Sequence, residues 1–368
     1  MRSVWHWVGI TAFCAGCSPA NYYAQSVEGH LGVLSHQESI DELLHDLHTP
    51  PALKQKLTRV VAVRDFASKT LGLPDNDSYR TYSDIKRNYV VWNVFATPRY
   101  SLAPIKWCFM VVGCVNYRGY YSESEAREFA RALEKEGNDV YVDGVPAYST
   151  LGWLADPVLN TMIDWSDTQI ASLIFHELAH QVVFIKDDTE FNESFATAVA
   201  RIGLLYWLRN RPDADAATER YLAGLETRQE FLGMLNHTRA ALQDLYALPL
   251  TQEEIESAKQ LAFRHLREGF DEMQKQGVLP AHYADWFKQP LSNARFVVTS
   301  AYEDHIPAFT ELFARSGYRW SEFYRQAAKL SRLDAPLRHE KMRQLQYAAK
   351  LFPSFARSLE VMKTAGVR

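Results

Sequence analysis

The chain has 368 residues, 40 basic and 44 acidic side chains, a formal net charge of -4, and is 47% hydrophobic and 23% charged. That composition belongs to a globular protein with ample material for a core, and it excludes a disordered chain. The charges are scattered rather than blocked, so the basic footprint of a nucleic-acid partner is missing.

The first 17 residues, MRSVWHWVGITAFCAGC, place one basic residue (Arg2) before an apolar stretch broken by His6, then small residues before Cys17. This is the layout of a secretory signal peptide and is too short to span a bilayer. The run CAGC resembles a bacterial lipobox, with Cys14 where an aliphatic residue is usual. The expectation is a signal over 1–16, lipidation of Cys17, and a periplasmic protein held by that lipid on the outer membrane. Ser18, in place of an aspartate, argues against retention in the inner membrane.

Next, YYAQSVEGHLGVLSHQESIDELLHDL has apolar residues three and four apart and is expected to be helical. TPPALKQKLTRVVAVRDFASKTLGL opens on prolines and closes at Gly72, the punctuation of a second helix. The two are expected to pair as an antiparallel hairpin within an anchored segment, 17–73. NYVVWNVFATP, IKWCFMVVGCVNYRGYY and DVYVDGVPAYSTLGW are rich in β-branched and aromatic residues and predict strands. SESEAREFARALEKEG, between the last two, predicts a capped helix ending on Gly137. Cys108 and Cys114 flank Gly113 and are either a cross-strand disulfide or two buried thiols; a periplasmic location permits the former. From Ser166 the strand signals almost vanish, and helical patterns continue with breaks at Pro212, Pro249, Pro280 and Pro290. The expected fold class is α+β. A small sheet lies next to a zincin-like helix pair in 74–210, and a mostly α-helical C-terminal half, 211–368, completes the cleft.

SLIFHELAHQVVFIKDDTEFNESFATAVA, residues 172–200, contains His-Glu-x-x-His. On a helix, His176 and His180 lie one turn apart on one face and can share a tetrahedral ion, with Glu177 beside them. Two histidine ligands, a glutamate base and an open position form the zinc-peptidase arrangement. Ile170, Leu173, Ile174, Leu178, Ala179, Val182 and Val183 mark a buried helix, where unpartnered histidines would be costly. Val183 and Lys186 occupy the positions where a metzincin has its glycine and third histidine, so that class is excluded. A thermolysin-like site takes a glutamate from the next helix, usually within Asn-Glu, and FNESFATA supplies Asn192 and Glu193. Glu190 competes, but with Asp187 it has the spacing of a capping box. Glu193 shares a face with Ala196, Thr197 and Ala200, small residues that allow close helix approach. It is therefore the expected third ligand. Thr197 replaces the aspartate usual four residues after that glutamate, which leaves Asn192, Asp188 or a backbone carbonyl to orient a histidine.

The run from Tyr22 to Leu31, together with GCVNYRGYY, GVPAYSTLGWLADPVLNTM, IFHELAHQ and DTEFNESFATAV, resembles the predicted-aminopeptidase lipoproteins of Gram-negative bacteria. The resemblance runs from the lipobox to about Val199, and more loosely beyond. It implies zinc bound by His176, His180 and Glu193, with Glu177 as catalyst. The expected function is zinc-dependent hydrolysis of peptide bonds as an aminopeptidase, by metal-activated water with Glu177 as general base. Tyr302, with His305 behind it, is the expected oxyanion donor. Tyr148, in an edge strand before the zinc helix, is the expected substrate-binding residue; Pro146 favours an edge. Asp143, Asp156 and Asp164 are unranked candidates to hold a substrate's α-ammonium, and Tyr117, Arg118 and Tyr120 either line the cleft or pack in the core. The alternatives are a zinc endopeptidase and a non-catalytic lipoprotein scaffold. Glu177 speaks against the scaffold, because a structural site needs no base.

Overall fold

The computed structural model describes residues 17–109, 113–150, 152–299 and 305–351. The expected signal segment and Tyr302 lie outside the described residues.

The chain opens with α1 (Cys17–Leu34), then a short strand β1 (Gln37–Ser39), α2 (Ile40–His45) and α3 (Pro51–Lys69). The helical run expected through Leu47 is thus broken. Gln37–Ser39 pairs antiparallel with β2 (Thr81–Ser83), and the Ser39 hydroxyl then caps α2. As a result α2, rather than α1, packs on α3, and the expected α1–α3 hairpin is not formed.

β3 (Val91–Pro98), β4 (Trp107–Phe109), β5 (Gly113–Val115), β6 (Arg118–Tyr120), α4 (Glu123–Lys135) and β7 (Asn138–Val145) follow. β3 is the centre of an antiparallel sheet ordered β6-β3-β7. Ser122 caps α4, which lays Ala126, Ala130 and Leu133 against Val94, Ala96 and Val142 of that sheet. β4 and β5 form a hairpin in which Cys108 faces Cys114, and the pair is a disulfide. β8 (Val158–Leu159) adds parallel to β2.

Helices then take over, as expected for the α+β class: α5 (Asp167–His180), α6 (Thr189–Arg209), α7 (Ala214–Tyr246), α8 (Gln252–Lys275), α9 (Asn293–Thr299), α10 (Ile306–Arg315), α11 (Trp320–Ser331) and α12 (Ala335–Leu351). α5 and α6 lie side by side in the largest core, where Phe175, Phe195, Phe309, Phe313 and Phe323 are all fully buried. Each such side chain contributes about 2–3 kcal/mol of apolar burial, so the helix pair is held firmly from below. Arg64 of α3 is also fully buried and donates to the carbonyls of Ser78, Pro74 and Asn76 at 2.8, 2.8 and 2.9 Å. The loop that it holds presents Asn76 to Gln181, immediately after His180, at 2.7 Å. The described residues include no helix long and apolar enough to cross a membrane.

Candidate active site

α5 starts at a capping box, Ser166 with Gln169. Its apolar phase sends Ile170, Ala171, Ile174, Phe175, Leu178 and Ala179 into the core. That phase leaves His176 and Glu177 half-buried at the core edge, while His180 in the last turn is buried.

α6 starts one residue later than the spacing of Asp187 and Glu190 suggests. Asp188 is the N-cap, accepting from the Phe191 N–H at 3.1 Å, and its other oxygen meets Arg338 of α12 at 2.7 Å. Asp187 instead adopts φ 64, the left-handed conformation that lets the chain reverse between the helices. Glu190 does not cap; its carboxylate pairs with His305 at 3.0 Å. The Asn192 amide accepts from the Ile185 N–H at 2.8 Å and donates to the Ile185 carbonyl at 2.7 Å. Asn192 and Asp188 therefore hold the turn and do not orient a ligand. The His180 Nδ1 is buried with no hydrogen-bond partner among the described residues, so the orientation expected from those side chains or a carbonyl is absent there.

The tight turn brings Glu193 to the two histidines. His176 Nε2 lies 3.2 Å from Glu193 Oε2 and 3.1 Å from His180 Nε2, and His180 Nε2 lies 3.6 Å from Glu193 Oε1. Ligand atoms around a tetrahedral zinc at about 2.1 Å stand about 3.4 Å apart, so the observed spacings fit the ion closely. The three side chains form a group able to hold a metal. Burial, reinforced by His176, pushes His180 down to about 4, so its imidazole is neutral near pH 7 and has a lone pair to give. Burial would lower His176 as well, but its hydrogen bond to Glu193 and the charges of Glu177 and Glu193 leave it raised. Burial works to raise Glu193, yet the His176 hydrogen bond and both histidine charges keep it below the ordinary carboxylate range. Glu177 is different: burial, against the pull of His176, pushes it up to about 7.

A cleft of about 810 Å³ opens beside Glu193. α1 contributes Tyr23, Val27, Leu31 and Leu34 to its lining, and Trp153, Leu154 and Phe184 line it as well. α1 is held there by contacts across the sheet. Tyr22 stacks on Phe109 at 5.5 Å, the Gln25 side chain accepts from the Tyr121 N–H at 3.1 Å, and Gly29 sits so near Tyr121 that a Cβ would fall 2.1 Å from its ring.

Tyr148 follows the end of β7 in an irregular segment. Its hydroxyl bonds to His30 of α1 and accepts from Tyr121 at 3.0 Å. β7 is an edge strand, but it stops at Val145, so the expected strand through Trp153 is not formed; Pro146, which lacks an N–H, cannot extend it. Of the three candidate acids, Asp164 is exposed and paired with Lys56, and Asp143 accepts from Tyr141 at 3.0 Å. Asp156 is buried behind the cleft, where it accepts from the Thr150 N–H at 2.9 Å and the Ser149 hydroxyl at 3.1 Å. Tyr117 lines the cleft. Arg118 stacks on Tyr22 at 4.2 Å, and Tyr120 packs in the sheet core. Sequence reasoning missed His30, Phe184 and the placement of Asp187. The only signal for His30 was its position inside the first of the shared motifs.

A family model described as "Putative aminopeptidase" matches residues 21–342. No curated protein and no solved structure matches the chain.

Proposed function

Because the chain belongs to the putative aminopeptidase family, we propose that it is a zinc-dependent peptidase acting on the amino terminus of peptides. The observation that supports this most is the convergence of His176, His180 and Glu193 beside a glutamate that is not one of the three. Those three residues would hold the zinc, which when bound would supply Lewis acidity toward the scissile carbonyl. Glu177 takes the proton of the attacking water and hands it to the leaving amine. The cleft beside Glu193 has a largely apolar lining suited to peptide side chains, and Tyr117 stands in that lining with Glu193. Tyr302 as oxyanion donor and Tyr148 as a substrate contact remain parts of this reading. So does a lipid anchor on Cys17 at the periplasmic face of the outer membrane, which the first seventeen residues support.

The test is zinc per chain on a lipid-free protein starting at Ser18, beside Glu193→Ala and Glu177→Gln. Wild type is expected to hold about one zinc, and Glu193→Ala to lose it or bind it far more weakly. Glu177→Gln is expected to keep the zinc and lose hydrolysis by about 10²–10⁴-fold. A wild-type protein that takes up no zinc after supplementation would make the histidines core residues and end this reading.

A further inference from the structure

Among the described residues that line the cleft, the carboxylates are Glu193 and Asp187, and no lysine or arginine stands with them. Glu193 belongs to the metal group. Asp187 is exposed, and its Oδ1 accepts from the Cys114 N–H at 3.0 Å. The β4–β5 hairpin comes this close because Gly113 has no side chain; a Cβ there would lie 2.1 Å from that oxygen. The carboxylate is thereby fixed in place without a cationic partner among the described residues. Around it the cleft is apolar. Val27, Leu31, Trp153, Leu154 and Phe184 line it, and each is exposed although large and hydrophobic. A fixed negative charge beside an apolar wall matches the first residue of a peptide, which joins an ammonium to a side chain on one carbon.

We propose that Asp187 binds the α-ammonium of the substrate, and that the apolar lining formed by α1, Phe184 and Trp153 takes a large apolar first side chain. This deepens the peptidase reading and rests on it, since it makes the cleft selective for free amino termini. A peptide seated in the cleft covers the exposed Asp187 carboxylate, and a charge pair shielded from water in this way is worth more than the same pair in water. Its loss therefore registers as at least a tenfold change in selectivity.

The test is Asp187→Asn. Asparagine tolerates the left-handed backbone, and its Oδ1 can still accept from Cys114, so the charge is removed while the turn is kept. Two measurements are made on each protein, with zinc content determined alongside. The first is kcat/KM of the zinc-loaded enzyme for leucine p-nitroanilide and its N-acetyl form. The second is binding of leucinamide and N-acetyl-leucinamide to the metal-free protein, followed by fluorescence of the tryptophans, of which Trp153 lines the cleft. Wild type is expected to favour the free amine in both. Asp187→Asn is expected to lose that preference at least tenfold while holding as much zinc. A preference unchanged in the variant, or absent from wild type, overturns the inference. If zinc-loaded wild type hydrolyses no peptide, the peptidase reading has failed, and the binding comparison still decides whether Asp187 holds an amine.

Discussion

Around the candidate centre, burial acts in opposite directions on acids and bases. It pushes His180 down and Glu177 and Asp156 up, while Glu193 stays low because two histidines face it. Asp156 has a consequence for stability. Burial raises its carboxyl despite hydrogen bonds from Thr150 and Ser149. With the folded pKa above the unfolded value, the folded state favours the protonated acid. Stability is then full below the unfolded value and is lost as pH rises through the folded one. Asp156→Asn removes that dependence, because its amide oxygen can still accept both bonds. In metal-free protein, the Tm of Asp156→Asn relative to wild type is expected to rise between pH 4 and pH 8. Calorimetry across that range checks it, and a flat or falling difference would refute the buried-acid account. The meeting of His176, His180 and Glu193 was legible because a helix places residues four apart on one face and one tight turn joins both helices. Asp187 was not legible in its place. Its spacing to Glu190 imitated a cap, and its true neighbour, the Cys114 N–H, lies 73 positions away in sequence.

At the scale of elements, periodicity located most helices and strands, and errors fell where a distant partner intervened. Nothing local in Gln37–Ser39 announces that Thr81–Ser83 will pair with it, so the run from Tyr22 to Leu47 read as continuous. The break frees α1 to become a wall of the cleft. Among the described side chains of α1, Val33 alone enters the main buried core, so α1 is expected to be separable from the metal helices. A chain beginning at Gln37 is expected to fold with a Tm a few degrees lower and to bind zinc as before. Its KM for peptides with apolar first residues is expected to rise at least tenfold, because the Val27–Leu31 stripe and the His30 bond to Tyr148 are gone. Zinc analysis and steady-state kinetics on the shortened chain check this. Loss of zinc would mean that α1 braces the metal helices, contrary to the packing described.

At the scale of the molecule, α1 links the candidate lipid site to the candidate active site. The helix begins at Cys17 and spans about 27 Å, and within that length Tyr23, Val27 and Leu31 already line the cleft. A lipid on Cys17 would thus keep the cleft within one helix length of its attachment point. The Cys108–Cys114 disulfide suits an oxidising compartment of the kind this requires. No described helix could replace the anchor by crossing the bilayer. Expressed from Met1 in a host that processes lipoproteins, the wild-type chain is expected in the membrane fraction, and Cys17→Ser in the soluble periplasmic fraction. Zinc content and resistance of Cys108 and Cys114 to alkylation serve as controls for the fold of the variant. Wild-type chain found soluble, or Cys17→Ser still sedimenting with membranes after a high-salt wash, would place the attachment elsewhere or remove it. Either result would leave the metal helices as they are, because α5 and α6 take their support from α3, α10 and α11.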